Sequence, residues 1–102
     1  MNFVPVVQAF RRTNGSYNML AMECFLHCAE KPRTMAELEV LTGSTNGRLS
    51  RAVRQLTAWY DKKAEKVIRP EMHLLQRRRV INGRGHRIHV TAAGRRLLEG
   101  RN

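Results

Sequence analysis

Along residues 17–30, Tyr17, Leu20, Cys24, Phe25 and Cys28 recur at three- and four-residue steps, the spacing that keeps side chains on one face of an α-helix. Ser16 stands ready as its N-cap and Lys31-Pro32 stops it. Over residues 34–56 the helical signals are denser. Thr34 and Glu37 have the spacing of a capping box, Leu38 and Leu41 share a face, and Gly43 closes a helix of about two turns. Ser44 or Thr45 then caps a second helix whose Leu49, Val53 and Leu56 form one stripe, leaving Gly47, Ser50, Arg51 and Arg54 on the far side. Two short helices joined through a glycine turn predict a helix-turn-helix.

Trp59 and Tyr60 prolong the stripe past Leu56, so the second helix is expected to run to about residue 69, where Pro70 stops it, with both aromatic rings packed inward. The period then changes. Residues 77–90 alternate bulky with polar side chains on either side of Asn82-Gly83-Arg84-Gly85, whose glycines supply the positive φ of a hairpin reversal. Thr91 opens a further helix. At the other end, residues 1–13 mix Phe3, Val4, Val6, Val7 and Phe10 with Arg11 and Arg12; Pro5 argues against a helix there, and Asn14-Gly15 breaks the chain. This segment reads as an arm, either a dimer contact or a flap folded over the protein's own core.

Charge gives these elements a direction. The 102 residues carry 19 Lys plus Arg against 8 Asp plus Glu, a net charge of +11. Eight arginines fall in residues 77–102 against one acid, Glu99. A hairpin bearing charge of one sign suits a polyanionic partner. No apolar run approaches the ~20 residues of a membrane-spanning helix and no signal-peptide pattern opens the chain, so nucleic acid is favoured over a membrane and a cytoplasmic location is expected. Length and composition fit one small domain without disulfides.

Cys24, His27 and Cys28 can be read as a partial metal site on a helix or as core residues of a reduced protein; the core reading is preferred, because His73, His86 and His89 sit among cations. The sole aspartate, Asp61, has no carboxylate neighbour suited to phosphodiester chemistry, and no nucleophile motif surrounds any Ser, His or Cys. No enzyme activity, cofactor, metal or small-molecule substrate is expected.

Arg48, Arg51 and Arg54 can be a solvated helix face or a nucleic-acid contact. No acid occurs between Glu39 and Asp61 to pair with them. Arg51 and Arg54, opposite the leucine stripe, are the expected base-edge contacts. Gly47, costly by ~1 kcal/mol within a helix, suits either a frayed first turn or close approach of the backbone to another surface.

A capped short helix, a second helix with a basic face, a basic strand, a Gly-Arg turn, another strand and a Thr-Ala-Ala-Gly-Arg-Arg-Leu-Leu helix together resemble the MarR-type winged helix-turn-helix regulators over residues 16–98. That family shows a leucine-anchored helix-turn-helix, a wing tipped by Asp-x-Arg and a Leu-Thr-x-x-Gly start to the next helix; here Asn82-Gly83-Arg84 and Val90-Thr91-Ala92-Ala93-Gly94 stand in those places. Three features depart from it: Asn82 replaces the acid, the segment between Leu56 and the wing is longer, and the chain lacks the family's terminal dimerisation helices. The resemblance implies that residues 44–54 enter a major groove and that Arg84 enters a minor groove. It also implies no ligand pocket, since the dimer helices that form one are missing.

The expected fold is α+β, mainly α: an N-terminal arm over residues 1–15, then a winged helix-turn-helix with a two-stranded β-hairpin wing over residues 16–102. The candidate DNA contacts are Ser44, Thr45, Asn46, Gly47, Arg48, Ser50, Arg51 and Arg54 on the helix, and Arg77, Arg79, Arg84, His86 and Arg87 on the hairpin. The expected function is sequence-specific binding of double-stranded DNA as a transcriptional regulator, with a homodimer possible. The alternative is a replication, partition or architectural DNA-binding accessory.

Overall fold

A computed structural model describes residues 3–12, 19–80, 83 and 85–100 of the chain. Among the described residues the fold is α+β, with five helices and two two-stranded antiparallel sheets. The arm is a helix, α1 (Val4–Arg11), contrary to the expectation from Pro5. Proline falls in the first turn, where backbone N–H groups have no acceptor within the helix, so nothing is lost by its missing donor. α1 buries Val6 and Phe10 and leaves Phe3, Val4 and Val7 exposed, so one face folds over the core. Phe10 meets Phe25 with ring centroids 6.3 Å apart.

α2 (Met19–Glu30) runs through the centre and packs on α1, α3, α4 and β4. The expected start of this helix at Ser16 and Tyr17 lies outside the described residues. Ala21, Cys24, Phe25 and Cys28 are its buried face, which places both cysteines in the core. Burial pushes the Cys24 thiol up to about 11 and the Cys28 thiol up to about 12, so both stay protonated at neutral pH.

α3 (Met35–Thr42) begins with the full capping box. Thr34 Oγ1 accepts from the Glu37 N–H and the Glu37 carboxylate accepts from the Thr34 N–H, each at 3.1 Å. The bond from the Thr34 N–H holds the Glu37 carboxyl below its ordinary range. Gly43 ends the helix at φ +70°, a conformation that disfavours a Cβ. Leu38 reaches the core, whereas Leu41, expected beside it, is exposed. Thr45, rather than Ser44, caps α4 (Asn46–Arg54), and Leu49, Val53 and the following Leu56 are fully buried.

The chain after α4 differs from the expectation of a long helix. α4 ends at Arg54, and residues 59–68 form a hairpin, β1 (Trp59–Asp61) with β2 (Lys66–Ile68). Trp59, Tyr60, Val67 and Ile68 are aromatic and β-branched residues that favour strands. The Asp61 carboxylate accepts from the Lys63 and Ala64 N–H groups at 2.9 and 3.4 Å, an Asx-type turn, and Glu65 completes the reversal at φ +54°. The Leu56 carbonyl meanwhile accepts from the Leu75 N–H at 2.9 Å, a bond made in place of continuing the helix. Trp59 and Tyr60 are therefore not core residues: they are 37% and 57% exposed.

β3 (Leu75–Arg79) and β4 (His86–Val90) form the second hairpin, pairing Leu75 with Val90, Arg77 with Ile88, Arg78 with Arg87 and Arg79 with His86. Across the turn the Val80 N–H donates to the Gly85 carbonyl at 3.1 Å, with Gly85 at φ +86°. The outer edge of β4 also pairs: Arg33 and Ile88 exchange backbone bonds of 3.2 and 2.7 Å. The Arg33 side chain turns back to cap α2, its Nε–H donating to the His27 carbonyl and its Nη2 to Glu30, both at 3.1 Å.

α5 (Ala92–Leu98) closes the fold. Its N-cap Thr91 accepts from the Gly94 N–H at 3.1 Å and donates to the His73 carbonyl at 2.7 Å. Gly94 is buried against Val90, Leu74 and Phe25. No helix among the described residues is long and apolar enough to cross a membrane.

Candidate nucleic-acid interface

With Leu49, Ala52 and Val53 committed to the core, the rest of α4 is turned outward. Asn46, Gly47, Arg48, Arg51 and Arg54 are exposed, while Ser44 and Ser50 are half-buried. Thr45 Oγ1 is used by the cap, accepting from the Arg48 N–H at 3.4 Å, and Ser44 donates its N–H to Thr42 Oγ1 at 3.2 Å. Asn46 Oδ1 accepts from Ser50 Oγ at 3.4 Å. Space around Gly47 is open: outside its own stretch of helix backbone, nothing described lies within 4 Å of the position a Cβ would take.

Arg48, Arg51 and Arg54 form no ion pair with any described residue. Two acids of α2 are engaged elsewhere, Glu23 with His27 and Glu30 with Arg33. Of the three, Arg54 alone has a side-chain partner among the described residues: its guanidinium carbon sits 5.1 Å from the centre of the Trp59 ring.

The hairpin is basic on both faces. Side chains directly opposite in an antiparallel pair share a face, so one face runs from buried Leu75, Ile88 and Val90 out to exposed Arg77, Arg79 and His86. The other carries Gln76, Arg78, Arg87 and His89. Arg78 stands directly opposite Arg87, a like-charge pair that costs stability unless an anion lies between or over them. His89 records that field: partial burial and the cations Arg78, Arg87 and Arg95 hold its imidazole below the ordinary value. Sequence reasoning left out Arg78. The register that sets it against Arg87 comes from counting back from the turn, and that is the signal that would have found it.

Helix and hairpin meet at one cleft. Arg54, Thr57, Ala58, Trp59, His73, Gln76 and Arg77 line a space of about 370 Å³ between the end of α4, β1 and the root of β3. Arg54 and Arg77, assigned from the sequence to separate elements, are thus brought together. Arg79, His86 and Arg87 lie further out along the hairpin, and Arg84 is outside the described residues.

Among the described residues no three His, Cys, Asp or Glu side chains are grouped so as to hold a metal ion. The chemistry on offer is that of hydrogen-bond donors and fixed positive charge. Compared with protein-family models, with curated proteins and with solved structures, the chain finds no match, so the case for this interface rests on its own residues.

Proposed function

We propose that the chain is a sequence-specific, double-stranded DNA-binding transcriptional regulator of the winged helix-turn-helix type. α3 and α4 are the helix-turn-helix, with α4 in the major groove. The β3–β4 hairpin is the wing, directed at the adjacent minor groove, and Arg84 is the residue that the sequence assigns to that groove. The observation that carries this reading is the exposed, acid-free face of α4, whose last arginine shares a cleft with the root of a hairpin in which Arg78 and Arg87 face one another across the strands. Asn46, Arg48 and Arg51 lie along the first turns of α4 that a recognition helix presents to base edges. Arg51 set bidentate to a guanine would discriminate by ~1–3 kcal/mol. Arg78, Arg79 and Arg87 supply backbone contacts. The order of elements supports kinship with the MarR-type regulators, and a cytoplasmic location goes with it.

The test is selection of bound sites from a random duplex pool, followed by titrations at several salt concentrations. A recurring motif is expected, preferred ~10³-fold or more over scrambled duplex. With about five to eight phosphates neutralised, log K should fall against log[salt] with a slope near −5 to −7. A flat salt dependence refutes nucleic-acid binding. Steep salt dependence without a motif makes the chain an architectural or replication accessory instead. A palindromic motif would report a homodimer, for which Phe3, Val4 and Val7 at α1 offer one exposed apolar contact.

A further inference from the structure

The cleft between α4, β1 and β3 holds side chains that neither base reading nor the wing explains. We infer that it seats one backbone phosphate of the bound duplex between the guanidinium groups of Arg54 and Arg77, and that Trp59 is the positioning residue that holds Arg54 ready for it. This rests on the duplex-binding reading above, and it moves Arg54 from the base edges, where the sequence put it, to the backbone.

The geometry of the Arg54–Trp59 pair is the first support. The guanidinium, its carbon 5.1 Å from the centre of the indole ring, is restrained by a cation–π attraction. Its N–H donors lie around the rim and stay free, in the fork that matches two phosphate oxygens. An arginine already restrained in the free protein gives up less rotamer freedom on binding. Trp59 has no other evident employment: it stands 37% exposed on a strand outside the core.

Position is the second support. Arg54 is the last residue of α4, whereas recognition helices meet base edges through their N-terminal residues and the chain beyond lies nearer the backbone. The C-terminal end of a helix carries about half a negative charge, which disfavours an anion. Two full positive charges, with no carboxylate in the cleft lining, outweigh it. Gln76 and His73 add polar groups on the same walls.

The experiment is a double-mutant cycle on the full chain, with binding measured on the selected duplex and on a scrambled one. Arg54→Ala should weaken both by the same factor, about tenfold, the size of one charge-assisted hydrogen bond. It should also reduce the salt slope by about one. Trp59→Ala should weaken both duplexes by a smaller common factor, Trp59→Phe should recover most of that loss, and the double variant should bind no more weakly than Arg54→Ala alone. Arg54 and Trp59 are both exposed, so the fold should survive; if Trp59→Ala lowers the melting temperature, Arg54→Ala made in the Trp59→Phe background completes the cycle. A change of preference at one base pair in Arg54→Ala would make it a base reader and overturn the inference. Additive losses would overturn the role of Trp59. Wild-type binding with Arg54→Ala silent defeats the cleft alone, whereas a wild-type chain that binds no duplex defeats the reading on which the cleft depends.

Discussion

Replacing Gly94 by alanine would place a methyl group 2.5 Å from Cγ1 of Val90, 2.8 Å from the Leu74 carbonyl oxygen and 3.0 Å from Cε1 of Phe25. Carbon atoms in contact sit about 3.5–4.0 Å apart, so something must move by roughly 1 Å. Val90 is held opposite Leu75 in the hairpin and Phe25 is wholly buried. The Leu74 carbonyl cannot withdraw freely either, because it accepts the Thr91 N–H at 3.0 Å where α5 begins. Overpacking of this kind costs ~1–3 kcal/mol, and a weakened buried hydrogen bond adds ~1 kcal/mol. Better helix propensity returns ~1 kcal/mol, leaving a net loss of about 1–3 kcal/mol when these terms are combined. For a domain of this size that lowers Tm by about 5–20 °C. Urea unfolding followed by the emission of the single tryptophan should show a lower midpoint with unchanged slope. A midpoint equal to or above wild type would refute the packing argument, since propensity alone predicts a gain.

Gly47→Ala should have the opposite sign in the same assay, raising stability by up to ~1 kcal/mol because the added methyl meets nothing; if the α4 backbone approaches DNA closely there, duplex affinity falls in the same variant. Cys24 and Cys28 should resist an aromatic disulfide reagent at pH 8 in the native protein and react fully in urea, because their thiols titrate at about 11 and about 12. His89 titrates in the fold below its ordinary value of about 6.5. The unfolded chain therefore binds this proton more readily: the contribution is whole above pH ~6.5 and is lost as pH falls below it. His89→Gln should show a smaller drop in urea midpoint between pH 7 and pH 5 than wild type, and an equal drop would reject the assignment.

Local signals were the legible ones. The Thr34–Glu37 box, the Gly43 cap and the Leu49–Val53–Leu56 stripe each lie within a few residues, and each stands as the sequence reads. The second hairpin was legible for the same reason, since its turn and both strands are contiguous. The stretch beyond Leu56 was not, because Trp59 and Tyr60 fit a helical stripe and a strand equally well. The Leu75 N–H, nineteen positions along the chain, takes the Leu56 carbonyl and decides between them. Arg33 misled by silence, one arginine among many until its backbone is seen paired to Ile88 and its side chain capping α2. On the interface, the exposed arginines of α4 could be named from the stripe they oppose, whereas the Arg54–Trp59 pair and the facing of Arg78 and Arg87 depend on where strands lie in space.

The pairing of β4 on both edges has a mechanical consequence. Its inner edge is joined to β3 along five residues, and its outer edge is joined through Arg33 to the segment that leads from α2 into α3. The root of the hairpin is thereby clamped to the helical body. Such a molecule behaves as a gauge of fixed span. Were the proposed duplex its partner, that fixed span would leave the adjustment to the duplex, and sequences that flex easily would gain occupancy without offering a single additional contact.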